Sequence, residues 1–264
     1  VEPMLFNRLA GSLHRQDWPS VFVELGIVVV GILLALQVEN WNQDRREVAE
    51  AAVWREQIIE DLKQTRFEMN ARLNYNAQAL EFAKQALAGL QASDPVDVNE
   101  AWRVVRGAFQ ASQISPFQLT GATFREVQNA GGLRRVADPV TLRALTHLYD
   151  VSAYDFELVS GGLPPYRDLI RQLTPWSLQD YIWGAGCQLR VNDHTGAYET
   201  LVDCDKPDLD LAIFQALEEF RAYPELVPQL RGRMSQLRVA ANSMGSQIAA
   251  IDSLIIMLEG SQVN

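Results

Sequence analysis

Polar and apolar positions divide the chain unevenly. From Val21 to Leu36 the residues run VFVELGIVVVGILLAL, and with Val38 the apolar stretch reaches the roughly 17 to 25 residues that a membrane-spanning helix requires. Glu24 is the one ionisable residue within it. Trp18 and Trp41 bracket the run 23 residues apart, about 34 Å along a helix rising ~1.5 Å per residue, which suits aromatic side chains at the two faces of a bilayer. A cleaved signal peptide would have a shorter apolar region and a small-residue cleavage site. Here LQVENWNQDRREVAEAAVWREQ follows without Pro or Gly, so the run reads as an uncleaved anchor over 19–41, the alternative being a buried apolar helix of a soluble protein.

Beyond the anchor, apolar residues recur at Val48, Ala52, Ile59, Leu62, Met69, Leu73 and Leu80. That period, near 3.5, predicts one long helix from Asn42 to about Ala92 with a single buried stripe, entered directly from the anchor. Ser93-Asp94-Pro95 ends it, and Asn99 to Ser112 forms an amphipathic helix through Trp102, Val105 and Phe109, followed by a loop at Ile114 to Gln118. Thr120 or Thr123 caps a short helix that Gly131-Gly132 closes. Asp138-Pro139 opens the next, with Leu142, Leu145 and Tyr149 on its apolar side. Leu158 to Leu173 and the aromatic residues Trp176, Tyr181 and Trp183 precede a loop between Cys187 and Cys204. Short strand signals at Leu189 to Val191 and Tyr198 to Val202 predict a small hairpin inside that loop. Asp205 to Asp208 start the helix LDLAIFQALEEFRAY, Pro224 breaks it, and Glu225 to Leu258 is the last long helix. The expected fold is mainly α. One N-terminal transmembrane helix continues into the long helix of a periplasmic helical bundle, which carries a small disulfide-closed loop or hairpin. The expected boundaries are an N-terminal segment at 1–18, a transmembrane helix at 19–41 and a helical domain at 42–264.

With 264 residues, 48% hydrophobic and 21% charged, the composition is that of an ordered protein. A net charge of −10 argues against non-specific nucleic-acid binding, which runs on clustered Lys and Arg. Arg8 and Arg15 on one side of the anchor oppose Arg45, Arg46 and Arg55 on the other, so local charge does not set its orientation. Cys187 and Cys204 are the only cysteines and lie 17 residues apart. Either they are two unpaired thiols or they form a disulfide, worth about 3 kcal/mol by loop-closure entropy and requiring an oxidising compartment. On the disulfide reading the large C-terminal part is periplasmic and the N-terminal segment cytoplasmic. His14, His147 and His194 offer no zinc-ligand spacing.

At heptad spacing, positions 24, 28, 31, 35, 38 and 42 are Glu, Val, Gly, Ala, Val and Asn, against a face of Ile, Leu and Val. Gly31 and Ala35 form a small-xxx-small pair that lets a second helix approach closely. Glu24 is costly against lipid, so it either hydrogen-bonds a partner helix or reaches the headgroups near Trp18. Glu24, Val28, Gly31, Ala35 and Asn42 are therefore the candidate partner-binding face, with Trp18 and Trp41 as membrane-interface anchors.

Two stretches carry a resemblance. VELGIVVVGILLALQVENWNQDRRE ends in Leu36-Gln37-Val38-Glu39-Asn40-Trp41-Asn42, and TFREVQNAGGLRRVADPVTLRALTHLYD holds a Gly-Gly-Leu-Arg turn before a helix. Together they resemble an uncharacterised family of bacterial single-pass membrane proteins, a domain of unknown function, over about a fifth of the chain. The resemblance implies an inner-membrane anchor and a periplasmic helical domain, and no activity. The region from Trp176 to Cys204 departs from that pattern.

No nucleophile elbow, phosphate loop, dinucleotide fingerprint or HExxH occurs. Asp203, Asp205, Asp208 and Asp210 could offer oxygens to Ca²⁺ but lack the Gly and Glu of an EF-hand loop, and they read better as carboxylates at a helix N-terminus. His194 reads as a turn residue. Arg134 and Arg135 are either a solvated pair or a contact for an anionic ligand. Trp176, Tyr181 and Trp183 form either a core corner or a periplasmic docking surface. The leading expectation is a non-catalytic accessory subunit without metal or cofactor. It would dock through its membrane helix and periplasmic domain onto integral-membrane subunits of a respiratory, photosynthetic or transport complex. Self-association through the same face fits equally. The alternatives are a periplasmic ligand-binding sensor and a periplasmic enzyme; the sensor is disfavoured by the short N-terminal segment, the enzyme by the lack of an acid, base or nucleophile constellation.

Overall fold

Helix α1 spans Trp18–Gln91, and its single proline, Pro19, sits in the first turn, where a missing N–H costs nothing. The structure, a computed structural model, describes residues 18–92, 96–115, 119, 121–152, 163–187, 190–191, 198–201 and 203–260. The N-terminal segment before Trp18, the Trp18 side chain, Ser93-Asp94-Pro95, Thr120, the expected helix start at 158–162 and His194 lie outside the described residues. The chain forms two compact units, Val1–Val53 and Trp54–Asn264.

In the first unit every large apolar side chain from Phe22 to Val38 is exposed, and α1 is long and apolar enough to cross a membrane. These are the side chains of the expected anchor.

In the second unit, α1 from Trp54 onward lies antiparallel to the last helix, α9, Leu226–Gly260. Lys63 Nζ meets Glu259 at 3.7 Å, Arg66 Nη1 meets Asp252 at 2.8 Å, and Asn76 Nδ2 donates to Met244 Sδ at 3.8 Å. The α9 seam is a run of alternating four- and three-residue steps, Leu226, Leu230, Arg233, Leu237, Ala240, Met244, Gln247, Ile251, Leu254 and Leu258. That is the spacing of two helices packed along a shared seam. The α1 seam keeps the expected period but not the expected residues. Ile59, Leu62 and Met69 are buried as expected, whereas Val48 is 71% exposed and Ala52 is also exposed. Ile58, Thr65, Arg72 and Tyr75 are buried instead, and Leu73 and Leu80 are half-buried. The face is fixed by what the polar ends of Arg72 and Tyr75 reach, which an apolar count does not register. Although α9 also has the length and composition of a membrane span, 33% of its most apolar window is buried.

Between the long helices stand α2 (Val98–Ala111), α3 (Ala122–Asn129), α4 (Leu133–Val136), α5 (Pro139–Thr146), α6 (Pro165–Leu173), α7 (Trp176–Tyr181) and α8 (Asp210–Ala222). Two segments, His147–Ser152 and Ile182–Gly186, are π-helical, a widening that the sequence pattern does not announce. Trp102, Val105 and Phe109 of α2 pack with Tyr166 and Ile170 of α6 and with Ile213, Leu217 and Phe220 of α8 around the Cys187–Cys204 disulfide. Inside the disulfide loop, β1 (Arg190–Val191) pairs antiparallel with β2 (Tyr198–Thr200), as the strand signals predict.

The Gly-Gly turn closes α3 as expected: Gly131 takes φ +71°, its N–H donates to Gln128 O, and Gly132 N–H donates to Val127 O. The N-terminus of α3 differs. Gly121, not a threonine, is its cap residue, and a Cβ there would lie 2.6 Å from the ring of Tyr149, which stacks on Phe124 at 4.8 Å. Asp138 caps α5, accepting from the Val140 N–H at 2.8 Å and from Thr141 Oγ1.

The Thr141 hydroxyl first, and the Val140 and Thr141 N–H groups next, hold the Asp138 carboxyl below the usual carboxylate range. The charged form is the one bonded, so its contribution is full above the unfolded-state value of about 3.9 and is lost as pH falls through the lower folded value. Asp138→Ala accordingly lowers the melting temperature at neutral pH, and its gap from wild type closes below about pH 4. Circular dichroism melts from pH 7 to 2 measure this. Replacing Cys187 and Cys204 together by Ala costs about 3 kcal/mol in denaturant unfolding, the loop-closure value for a bridge of this span.

Candidate functional site

On α1, Glu24, Val28, Gly31, Ala35 and Asn42 recur at helical spacing along one stripe, and all five are exposed. A Cβ added at Gly31 would meet nothing within 4 Å. Trp41 is 59% exposed, with the Arg45 guanidinium 5.1 Å from its ring centroid.

The aromatic trio divides. Tyr181 packs edge-on against Trp102 at 6.1 Å and donates its hydroxyl to Asp205 O at 3.1 Å, so it belongs to a core corner. Trp176 is 74% exposed at the start of α7. Trp183 is 44% exposed and packs edge-on to Phe109, and the Arg171 guanidinium lies 4.2 Å from the Phe109 centroid and 5.6 Å from that of Trp183. The acidic cluster is divided as well: Asp203 pairs with Arg106, and Asp210 accepts from Lys206 Nζ at 2.6 Å. Among the described residues no group of three His, Cys, Asp or Glu could hold a metal ion. Arg134 and Arg135 are exposed after the Gly pair.

A second polar centre, at the C-terminal end of α2, involves residues that the sequence reading passes over. There the chain leaves the helix through Ser112 and Gln113, both buried, and its carbonyls point into the protein. Helix ends leave carbonyls without intrahelical donors, and burying them unpaired costs about 1–3 kcal/mol each. Arginines from three helices supply the donors. Arg233 of α9 donates from Nε to Ala111 O at 3.1 Å and from Nη2 to Gln113 O at 2.8 Å. Arg167 of α6 donates from Nη1 to Ser112 O at 3.2 Å and Gln113 Oε1 at 3.3 Å. Arg171 donates to Ser112 Oγ at 2.7 Å and Gln113 Oε1 at 3.3 Å, and Arg72 of α1 to Ser115 O at 2.8 Å. The Tyr75 hydroxyl donates to Ile114 O at 3.4 Å and Tyr166 to Ala108 O at 2.9 Å. Burial lowers Arg72, Arg171 and Arg233 to about 10, and mutual repulsion adds to this for Arg171 and Arg233, each beside Arg167.

A signal for two of these arginines is present in the sequence. Arg72 follows Ile58 and Thr65 at seven-residue steps, and Arg233 stands between Leu230 and Leu237. A charged residue on each of two otherwise apolar seams marks a position where the seam must meet polar groups. Nothing comparable distinguishes Arg167 and Arg171.

Set against family models, curated proteins and solved structures, the chain matches none of them.

Arg233→Met retains the apolar stem but leaves Ala111 O and Gln113 O without these donors. The expected loss is about 2 kcal/mol or more in denaturant unfolding, from two buried unpaired carbonyls. Leu237→Met, one step along the same seam, conserves volume and is expected to cost less than about 1.5 kcal/mol.

Proposed function

We propose that this chain is a non-catalytic, single-pass accessory subunit of a larger complex in the bacterial inner membrane. The apolar part of α1 anchors it, the N-terminal segment lies in the cytoplasm, and the helical unit from Trp54 onward works in the periplasm, bracing the assembly. The observation that carries this reading is the exposure of every large apolar side chain from Phe22 to Val38 on a helix long enough to span a bilayer. Leaving such side chains in water forfeits about 1.5–3 kcal/mol apiece, a cost that lipid removes. Lipid does not serve Glu24, for which a hydrogen-bonding group on a neighbouring helix does, and Gly31 and Ala35 on the same stripe permit the approach. Integral-membrane subunits of a respiratory, photosynthetic or transport complex are therefore the proposed partners, with a second copy of this chain as the other occupant of the face. The Cys187–Cys204 bridge supports the periplasmic side, since disulfides persist in oxidising compartments. The motifs around Trp41 and Gly131 support membership of the family described above. A second reading, a ligand-binding module, is favoured by the concentration of arginine charge at the end of α2.

Extraction of native membranes in mild detergent, followed by size separation and identification of co-migrating chains, tests the proposal. The expected result is a fixed-ratio complex that Glu24→Leu or Gly31→Leu releases without changing the melting temperature of the helical unit. A monomer, or a complex indifferent to both substitutions, removes the docking face from consideration.

A further inference from the structure

Three of the arginines at the end of α2 are held by neutral groups and not by carboxylates among the described residues. No ion pair among the described residues includes Arg167, Arg171 or Arg233. The acid acting on Arg167 and Arg171, Asp168, is exposed on their own helix. The groups they bind are neutral: backbone carbonyls, the Ser112 hydroxyl and the Gln113 amide oxygen. Arg167 and Arg171 share that single amide oxygen, each at 3.3 Å, so two like charges converge on one point. Arg233, 8% exposed, reaches the carbonyl of the same residue.

Structural capping of a helix end does not require this arrangement. One guanidinium has five N–H donors, enough for the carbonyls of residues 111–113, and neutral donors would serve without repulsion. The surplus donors are the informative part. Nε and Nη2 of Arg167, Nε of Arg171 and Nη1 of Arg233 bond nothing among the described residues. Arg171 is fixed from the other side by Phe109 and Trp183, so its fork is held in place. The Tyr75 hydroxyl donates to Ile114 O at the same turn.

From this geometry we infer that the end of α2 is an oxyanion-binding site for a phosphate group, with Arg167, Arg171 and Arg233 as its ligands. Guanidinium forks match phosphate oxygens in charge and geometry. A dianion offsets most of three positive charges, and tetrahedral oxygens accept donors arriving from two different helices. The phosphate belongs either to a free anion or to a lipid headgroup. This site does not depend on the docking face of α1.

The test is thermal unfolding of the full chain in mild detergent, in potassium phosphate against potassium chloride at equal ionic strength. In parallel, dihexanoyl phosphatidic acid is compared with dihexanoyl glycerol, which differs only by the phosphate. A ligand that binds the folded state alone raises the melting temperature with concentration. A rise with inorganic phosphate that Arg171→Met and Arg167→Gln diminish identifies the free anion, since phosphate also stabilises folded chains generally by exclusion from their surface; a rise with the phosphatidic acid alone, diminished by the same variants, identifies a headgroup. Arg171→Met and Arg167→Gln each weaken the apparent affinity about tenfold or more, the scale of one lost charge-assisted contact. Should either variant fail to fold, amide hydrogen exchange on the wild-type chain locates the effect, with slowing by phosphate expected at residues 109–115 and 167–171. Shifts no greater than those of the matched controls overturn the inference, as does a shift undiminished in both variants or exchange slowed only elsewhere.

Discussion

The helical unit is organised around the need to satisfy the carbonyls at the end of α2. The chain leaves that helix inside the protein, with Ser112 and Gln113 buried and polar backbone directed away from water. Each such carbonyl must find a donor or cost the protein about 1–3 kcal/mol. Donors arrive on α1, α6 and α9, and so the two long helices can be rotated only to the phase that brings Arg72 and Arg233 to residues 111–115. The antiparallel seam, α6 and Tyr75 each bring a donor to that turn.

A seam of this kind trades stability for definition. Apolar side chains at 72 and 233 would pack without desolvating a charge, and two helices with a purely apolar seam can slide by a heptad at little cost. With arginines there, a slip by one step separates several hydrogen bonds at once. The disulfide acts on the same region from the other side, because Cys204 O accepts from Trp102 Nε1 at 3.4 Å and Arg106 Nη1 at 2.9 Å, tying the loop to the middle of α2. Function is proposed to draw on both units. On that proposal the exposed apolar helix meets lipid and a partner, and the arginines meet an anion.

Much of the helical unit could be read directly from local chemistry. The Asp138-Pro139 start, the Gly131-Gly132 close, the α2 face of Trp102, Val105 and Phe109 and the pairing of β1 with β2 each depend on residues near one another in sequence. The α3 cap was not legible, because Gly121 is set by the ring of Tyr149, 28 residues on. Helical spacing alone aligns Glu24, Gly31 and Ala35 along α1. The division of the aromatic trio was not legible, since its three members meet different neighbours.

The sequence by itself determined the apolar span, the cysteine pair, most helix ends and the period of the two seams, since each is fixed by composition or by contacts within a turn or two. Only the tertiary structure decided which face of α1 is buried and that four arginines meet at one turn. That follows from physical distance: Arg72 and Ser115 are 43 residues apart, Arg233 and Gln113 are 120, and no local preference of any of them specifies the other.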